Sequence, residues 1–249
     1  FAWFPGHTGL QSDTQIYVAI FEHLEDPSVL ANDLVATRPH VTWTIYDETA
    51  RWLHTLTGAS FRDVLFGEQV VFRFFGLLGV FLIAHSCGLK SAGALFTAAA
   101  FGLGAVINGP AVLTLEYEPV PRGFAIMLLM AAIGFGAKER WNLAEVFAGV
   151  ATLYHAPTTA PFWACTLVWW LLKRDAVERL RLLAWALGAA VVLLIFAMLQ
   201  QGQTESQPLF GRIDPALESL QRLRGAYNWI GLWPPSWFWQ YPLLLGVVV

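Results

Sequence analysis

Three charged residues lie close together in the otherwise apolar segment LEYEPVPRGFA, residues 115–125. Glu116, Glu118 and Arg122 surround two prolines and precede an apolar run. A carboxylate pair and an arginine beside a dry cavity can bind a diphosphate headgroup or a hydroxylated acceptor, and a carboxylate can act as a general base. The alternative is structural, with Arg122 pairing with Glu118 four residues earlier and capping the helix that follows.

Two more residues are candidates for the same chemistry. Asp13 follows Ser12 in the first turn of a predicted helix, where the helix dipole favours a negative charge, so a capping role and a catalytic role are both open. His155 ends an apolar run just before Ala156 and Pro157, where a histidine serves as a helix-end hydrogen-bonding group or as a ligand. Three residues near the ends of apolar runs are predicted interface or interhelix contacts: Arg73, His85 and Glu145.

The composition indicates an all-α integral membrane protein. Of the 249 residues, 56% are hydrophobic and 13% charged, against roughly a quarter charged in an average soluble domain. The lipid bilayer is therefore the expected partner of much of the surface. A net charge of −3 provides no basic field to attract nucleic acid, so we exclude that partner.

Residues 1–67 are rich in carboxylates, contain no apolar run long enough to cross a bilayer, and are predicted to form a water-facing loop with interfacial amphipathic helices. The first of these helices begins at Ser12, which forms a capping box with Gln15, and ends before Asp26. The second runs from about Val41 to Thr57. The side chains expected to be buried are Ile16, Tyr17, Ile20, Phe21 and Leu24 in the first, and Trp43, Ile45, Trp52, Leu53 and Leu56 in the second.

Residues 68–249 are predicted to form a multi-helix transmembrane bundle of about six to seven helices, some of them short or broken. Pro157 and Pro161 must interrupt backbone hydrogen bonding between two of them. The chain stops inside the apolar run PLLLGVVV, which suggests a C-terminally truncated piece of a longer protein. The predicted helices are Val70–Leu89, Ser91–Asn108, Gly123–Ala137, Leu143–Tyr154, Pro161–Leu172, Leu182–Leu199 and one that starts near Trp237.

The basic residues of the short loops predict the orientation. Counting alternate crossings puts Lys90, Lys138, Arg140 and residues 173–181 on one side, which the positive-inside rule makes cytoplasmic. Residues 1–67, the segment around Arg122 and the HAPTTAP break at residues 155–161 are then extracytoplasmic.

Three segments carry a resemblance to a known family: SDTQIYVAI with its following Asp-Pro turn, EPVPRGFAIMLL, and WNLAEVFAGVATLYHAP. Together they resemble the GT-C superfamily of polytopic membrane glycosyltransferases over most of residues 10–175. The resemblance implies transfer of a sugar from a polyprenyl-phosphate carrier to an acceptor at the extracytoplasmic face. The lipid-linked sugar donor is then a further expected partner, and, because the likeness is to bacterial members, a bacterial inner membrane is the expected location.

The same resemblance implies a role for each candidate residue. Asp13 matches the acid of the first outer loop, which activates the acceptor. Glu116 or Glu118 corresponds to a second acidic site, and Arg122 and His155 to phosphate or positioning contacts. Many members have two adjacent acids at the first site, whereas Thr14 follows Asp13 here. The paired-acid motif for a divalent metal is therefore not supported, and no cofactor is assigned.

Two other functions are consistent with these features. The chain could be a non-catalytic transmembrane subunit of a larger membrane complex, because a fold can keep its helices after losing its chemistry. The tryptophan-rich segment NWIGLWPPSWFWQYP, residues 228–242, would then bind other membrane subunits. A transporter is less consistent, because the sequence has no internal repeat and its charges gather at one interface.

Overall fold

The computed structural model describes residues 12–37, 43–104, 106–107, 112–113, 115–172, 176–199 and 214–248. These residues form an all-helical structure, apart from one antiparallel pairing of two short strands. The α-helices are α1 Ser12–Glu25, α2 Tyr46–Thr57, α3 Phe61–Ser86, α4 Ser91–Gly102, α5 Pro121–Ala137, α6 Trp141–Leu172, α7 Ala176–Leu199, α8 Pro215–Arg224 and α9 Pro235–Val248. The strands are β1 Val106–Ile107 and β2 Val112–Leu113, and two 3-10 turns, Ala226–Asn228 and Ile230–Leu232, lie between α8 and α9.

The chain forms two compact units. The first contains Phe1–Gly102 and Glu116–Thr204, and therefore α1 to α7. The second contains Leu103–Leu115 and Glu205–Val249, and therefore β1, β2, α8 and α9. The predicted boundary between residues 67 and 68 falls inside α3, because Ser60 accepts a hydrogen bond from the Asp63 amide and starts this helix well before Val70.

The first unit is a helical bundle. Helix α5 packs against both α3 and α6, while α4 packs on α3 and α7 on α6. A shared core joins α1 and α2 to this bundle, since Phe21 of α1, Tyr46 of α2 and Phe124 of α5 are all almost fully buried. Part of the apolar surface of α1 and of α2 therefore packs against other helices of the chain.

Helix α2 differs from its prediction in both its start and its buried face. It begins at Tyr46, and residues 41 and 42 of the predicted helix lie outside the described part of the chain. Its buried side chains are Tyr46, Asp47 and Ala50. Trp43, Trp52 and Leu56 are 54%, 64% and 66% exposed, so they do not pack against the other helices of this chain, and their burial against a bilayer stays a prediction. Helix α1 has its predicted bounds, but Ile16 of its expected face is 43% exposed.

Glycines allow α3 and α5 to approach closely. A Cβ atom on Gly79 would lie 2.1 Å from the Met130 carbonyl oxygen, and one on Gly134 would lie 2.6 Å from Gly79 Cα. Neither position can accept a side chain without a backbone shift, because real Cβ contacts are longer. At the far end of the same helices, Ser86 Oγ donates to the Ala137 carbonyl at 3.0 Å. The C-termini of α3 and α5 therefore lie together.

Helix α6 is a hairpin of two helical halves. His155 has non-helical angles (φ −159°, ψ 89°) and separates the halves, as the two prolines predicted. Trp141 and Trp169 would be about 42 Å apart in a straight helix at 1.5 Å per residue. Their rings instead stack with centroids 5.1 Å apart. The second half therefore returns to the end of the bundle where the first half began.

This topology agrees with the predicted alternation of the loops. Lys138 Nζ lies 2.9 Å from His85 Nδ1, so the α3–α4 and α5–α6 connections share one end of the bundle, which we call the basic end. Residues 116–122 and the α6 turn lie toward the opposite end. Among the described helices, α3 is the one that is long and apolar enough to cross a membrane by length and composition. Helices α4 and α5 and residues Ala184–Leu199 are apolar but shorter.

We predict that Gly79→Ala lowers the unfolding free energy of the full chain by about 1–3 kcal/mol through overpacking between α3 and α5. The matched control is Gly188→Ala in α7, where an added Cβ has no neighbour within 4 Å. Because alanine has the higher helix propensity, the control should be neutral or slightly stabilising. Thermal denaturation of both variants measures the difference, and equal midpoints would contradict the close approach.

Candidate functional site

Four of the five predicted site residues meet on the first unit. Arg122 Nη2 donates to Asp13 Oδ2 at 2.9 Å, and Arg122 Nε donates to Glu116 Oε2 at 2.8 Å. Glu118 lies beside them and accepts hydrogen bonds from the Thr14 amide and hydroxyl at 2.8 and 3.0 Å. Residues about a hundred positions apart in sequence are thus joined by direct hydrogen bonds. We call Asp13, Glu116, Glu118 and Arg122 the acidic site.

Residues 116–120, which we call the acidic loop, are held by their backbone carbonyls. Arg73 Nη2 of α3 donates to the Glu116 and Tyr117 carbonyls at 2.7 and 3.0 Å. Gln69, one turn earlier, donates to the Tyr117 carbonyl at 2.6 Å, and the buried Tyr46 hydroxyl donates to the Pro119 carbonyl. Helices α2 and α3 therefore fix the loop that carries both glutamates.

The structural alternative for Arg122 was wrong about its partner, because Arg122 pairs with Glu116 and Asp13 and not with Glu118. The Glu118 carboxylate is used at the start of α1, where the Thr14 amide is one of the N-terminal donors without an intrahelical acceptor. Glu118 is thus a capping residue supplied by a distant segment. Its predicted role in substrate binding stays a prediction.

The acidic site combines buried and exposed groups. The Glu116 side chain is 8% exposed, whereas the side chains of Asp13 and Arg122 are 39% and 48% exposed. Ion pairs with this exposure contribute about 0–1 kcal/mol to stability, so the Asp13–Arg122 pair is not a major part of the folding energy. Arginine has five N–H donors, and Asp13 and Glu116 use two of them. Asp13 and Arg122 therefore remain accessible to a polar ligand.

The charge balance of the acidic site favours one kind of ligand. Two carboxylates bond to the Arg122 guanidinium, and a third, that of Glu118, lies beside them. Such a surface favours a hydroxylated ligand, and a phosphate ester could approach only at the Arg122 N–H groups that Asp13 and Glu116 leave unused. Among the described residues, no group of three or more His, Cys, Asp or Glu side chains has the geometry to hold a metal ion.

Tyr17 lies beside the acidic site, although the sequence predicted only a packing role for it. It lies one helical turn after Asp13, and its ring packs edge-on against Tyr46 with centroids 5.1 Å apart. Burial and the negative charge of Asp13 raise the pKa of the Tyr17 hydroxyl, while Arg122 opposes this rise. The hydroxyl therefore stays protonated at neutral pH. The four-residue spacing from Asp13 was the signal that could have identified it.

A second polar cluster, which sequence reasoning missed, lies in the core between α2, α3 and α6. The Tyr154 hydroxyl donates to Glu68 Oε1 at 3.0 Å and lies 3.2 Å from Thr49 Oγ1. Glu68 is 7% exposed, and its Oε2 atom has no hydrogen-bond partner among the described residues. No spacing in the sequence links these three residues, because their contacts are long-range.

His155, the fifth predicted residue, caps the second half of α6. Its Nδ1 atom accepts a hydrogen bond from the Thr158 amide at 3.2 Å and lies 2.7 Å from Thr158 Oγ1. Burial, and secondarily the charge of Arg122, lowers the pKa of His155 below its usual value near 6.5. The imidazole is therefore neutral at pH 7, as an Nδ1 acceptor must be.

An apolar groove of about 640 Å³ runs between α5 and the two halves of α6. Its lining extends from Thr158, which contacts His155 beside the α6 turn, to the stacked Trp141 and Trp169 at the basic end. Glu145, predicted to be an interhelix contact, is 4% exposed and lines the same groove. Its mostly apolar lining suits a hydrocarbon chain.

No protein-family model matches this chain, and no curated protein or solved structure matches it either.

We predict that Glu118→Ala lowers the unfolding free energy by about 1–3 kcal/mol, because two buried donors of Thr14 lose their acceptor. Thermal denaturation should show a midpoint about 2–4 °C lower for each kcal/mol lost. Glu22→Ala is the control, because Glu22 is exposed on the same helix. If both variants melt at the same temperature, Glu118 does not cap α1.

We predict that His155→Asn reduces the loss of stability at acid pH. Because the pKa of His155 is lower in the folded chain than in the unfolded chain, the unfolded chain binds this proton more readily. The folded chain therefore loses stability as the pH falls below about 6.5. Asparagine retains an acceptor for the Thr158 amide but does not titrate. The difference in melting temperature between pH 7 and pH 5 should be smaller in the variant than in the wild type. An equal difference would show that His155 does not titrate in this environment.

Proposed function

We propose that this chain is part of a membrane glycosyltransferase that transfers a sugar from a polyprenyl-phosphate carrier to an acceptor hydroxyl at the extracytoplasmic face. The observation that carries the proposal is the Asp13–Arg122–Glu116 chain of hydrogen bonds, with Asp13 and Arg122 accessible and Glu116 buried. A fixed carboxylate beside a fixed guanidinium provides a base and a cation within one site. The GT-C resemblance of the sequence supports the same reaction.

The proposed mechanism assigns one role to each residue. Asp13 takes the proton of the acceptor hydroxyl, and the acceptor oxygen forms a bond to the sugar carbon. The bond between this carbon and the carrier phosphate breaks, and the electron pair leaves with the phosphate oxygen. Arg122 stabilises the charge that develops there through the N–H groups not used by Asp13 and Glu116. Glu116 holds the guanidinium in position.

Features of the bundle support a membrane location and a lipid-linked donor. Helix α3 is a candidate span, and the basic residues Lys138 and Arg140 lie at the end away from the acidic site, as expected for a cytoplasmic side. The apolar groove beside α6 could hold part of a polyprenyl chain while its phosphate is near the acidic site. Its lining residue Thr158 contacts His155 at the α6 turn.

A specific observation favours a second candidate function, that of a non-catalytic membrane subunit. The acidic-site side chains bond to other parts of the chain: Glu118 caps α1, and Arg122 links α1 to the acidic loop. These bonds stabilise the fold whether or not a reaction takes place. The same residues would then maintain a surface for a partner subunit.

We predict that Asp13→Asn abolishes release of polyprenyl phosphate from polyprenyl-phosphate-linked hexoses, with a loss of about a hundred-fold or more for removal of a general base. The full-length protein in its native membrane is assayed with a panel of these hexoses. Glu22→Gln, on the same helix and exposed, should keep wild-type activity. Melting temperatures should show that both variants are folded.

The possible outcomes separate the two candidate functions. Full activity of Asp13→Asn would remove Asp13 from the mechanism. If the wild type releases nothing from any donor and instead purifies with other membrane proteins in fixed stoichiometry, the subunit function is favoured. Loss of activity in Asp13→Asn alone supports the transferase.

A further inference from the structure

Helix α8 in the second unit forms one wall of an open cavity of about 600 Å³. Four of the lining residues, Leu217, Leu220, Gln221 and Arg224, recur at the i, i+3, i+4, i+7 spacing of a single helical face. The rest of the lining is Gly225, Tyr227 and Trp229. The cavity is thus lined by two leucine side chains, by the guanidinium of Arg224, and by Tyr227 and Trp229, which we call the aromatic wall.

Contacts among its own residues stabilise helix α8, but its apolar face is exposed. Asp214 caps it by accepting from the Ala216 amide at 2.8 Å, Pro215 occupies its first turn, and Glu218 pairs with Arg222 at 2.8 Å. None of its residues is buried, and Leu217 and Leu220 are 48% and 52% exposed. These leucines therefore present hydrocarbon surface to whatever fills the cavity.

The aromatic wall is held in place before any ligand binds. The Arg222 guanidinium lies 4.1 Å from the centroid of the Trp229 ring. Trp233 Nε1 donates to the Tyr227 carbonyl at 2.7 Å. Arg222 is itself held by Glu218, so its ion pair and ring contact orient the indole. Arg224, by contrast, has no carboxylate partner among the described residues and remains available to an anion.

We propose that the α8 cavity binds an anionic membrane phospholipid, with the lipid phosphate on Arg224 and the start of an acyl chain along Leu217 and Leu220. Guanidinium groups bind phosphate through paired hydrogen bonds, and leucine and tryptophan side chains suit the adjacent hydrocarbon. A small soluble anion would use Arg224 but not the leucines. The cavity therefore fits an amphiphile better than a free phosphate.

The residues that follow α8 support a bilayer lipid as the occupant. Trp233 and Trp237 are partly exposed, and Phe238 and Trp239 are 45% and 70% exposed. Aromatic side chains concentrate at the membrane–water interface, where the ring is among hydrocarbon and the polar edge is wet. One basic side chain near anionic headgroups adds modest attraction. This inference does not rest on the transfer reaction.

The test uses the full chain purified in a non-ionic detergent and native mass spectrometry. The protein is titrated separately with dioctanoyl phosphatidylglycerol, dioctanoyl phosphatidylcholine and inorganic phosphate. We expect saturable binding of phosphatidylglycerol, weaker binding of phosphatidylcholine and no comparable binding of phosphate. Arg224→Gln should weaken phosphatidylglycerol binding roughly five-fold, the effect of one basic residue near a lipid headgroup.

Two matched pairs of variants control the experiment. Leu220→Ser should weaken binding, while Leu223→Ser should not, because Leu223 is 81% exposed and does not line the cavity. Arg140→Gln, in the first unit, controls for the loss of a positive charge. Wild-type affinity in both Arg224→Gln and Leu220→Ser would overturn the proposal. Equal affinity for phosphatidylcholine would also overturn it, as would displacement of phosphatidylglycerol by an equal concentration of phosphate.

Discussion

The buried guanidinium of Arg73 imposes the constraint on which the first unit depends. Arg73 is 5% exposed in the middle of α3, and a buried charge is costly unless it is fully hydrogen-bonded. The carbonyls of Glu116 and Tyr117 provide this compensation. The acidic loop must therefore lie against α3 beside Arg73. This requirement sets the positions of Glu116 and Glu118.

Once the loop is fixed, its two glutamates connect separate parts of the chain. Glu118 reaches the start of α1, and Glu116 reaches Arg122 at the start of α5. Gly123 makes this possible, because a Cβ there would lie 2.9 Å from the Glu116 side chain. The same bonds that stabilise the fold also hold Asp13 beside Arg122. A site built in this way is preorganised, as catalysis by fixed charges requires, yet the same bonds would persist in a protein without catalytic activity.

Local signals predicted much of the fold. The apolar run after Pro121 predicted α5, two prolines predicted the break in α6, and basic loops predicted which connections share an end of the bundle. The buried face of α2 was not predictable in this way, because Tyr46 is buried through ring contacts with α1 and α5, which are distant in sequence. Trp52 is exposed in the folded chain, and hydrophobicity alone does not say whether such a side chain is covered by protein or by lipid. In the candidate site, the sequence showed which residue types could do chemistry. It did not show the hydrogen bond from Thr14 to Glu118, because this bond joins residues 104 positions apart and leaves no periodic pattern.

Both the fold of the first unit and the acidic site require α1 to contact the start of α5, and chemical cross-linking measures this contact. Cysteines are introduced at Asp13 and Arg122 in the full-length chain, with Cys87 and Cys165 replaced by serine, and are treated with a short bifunctional maleimide. We expect efficient cross-linking of this pair and little cross-linking when the first cysteine is moved to Glu22. Absence of a cross-link between positions 13 and 122, or equal yields from both pairs, would contradict this expectation.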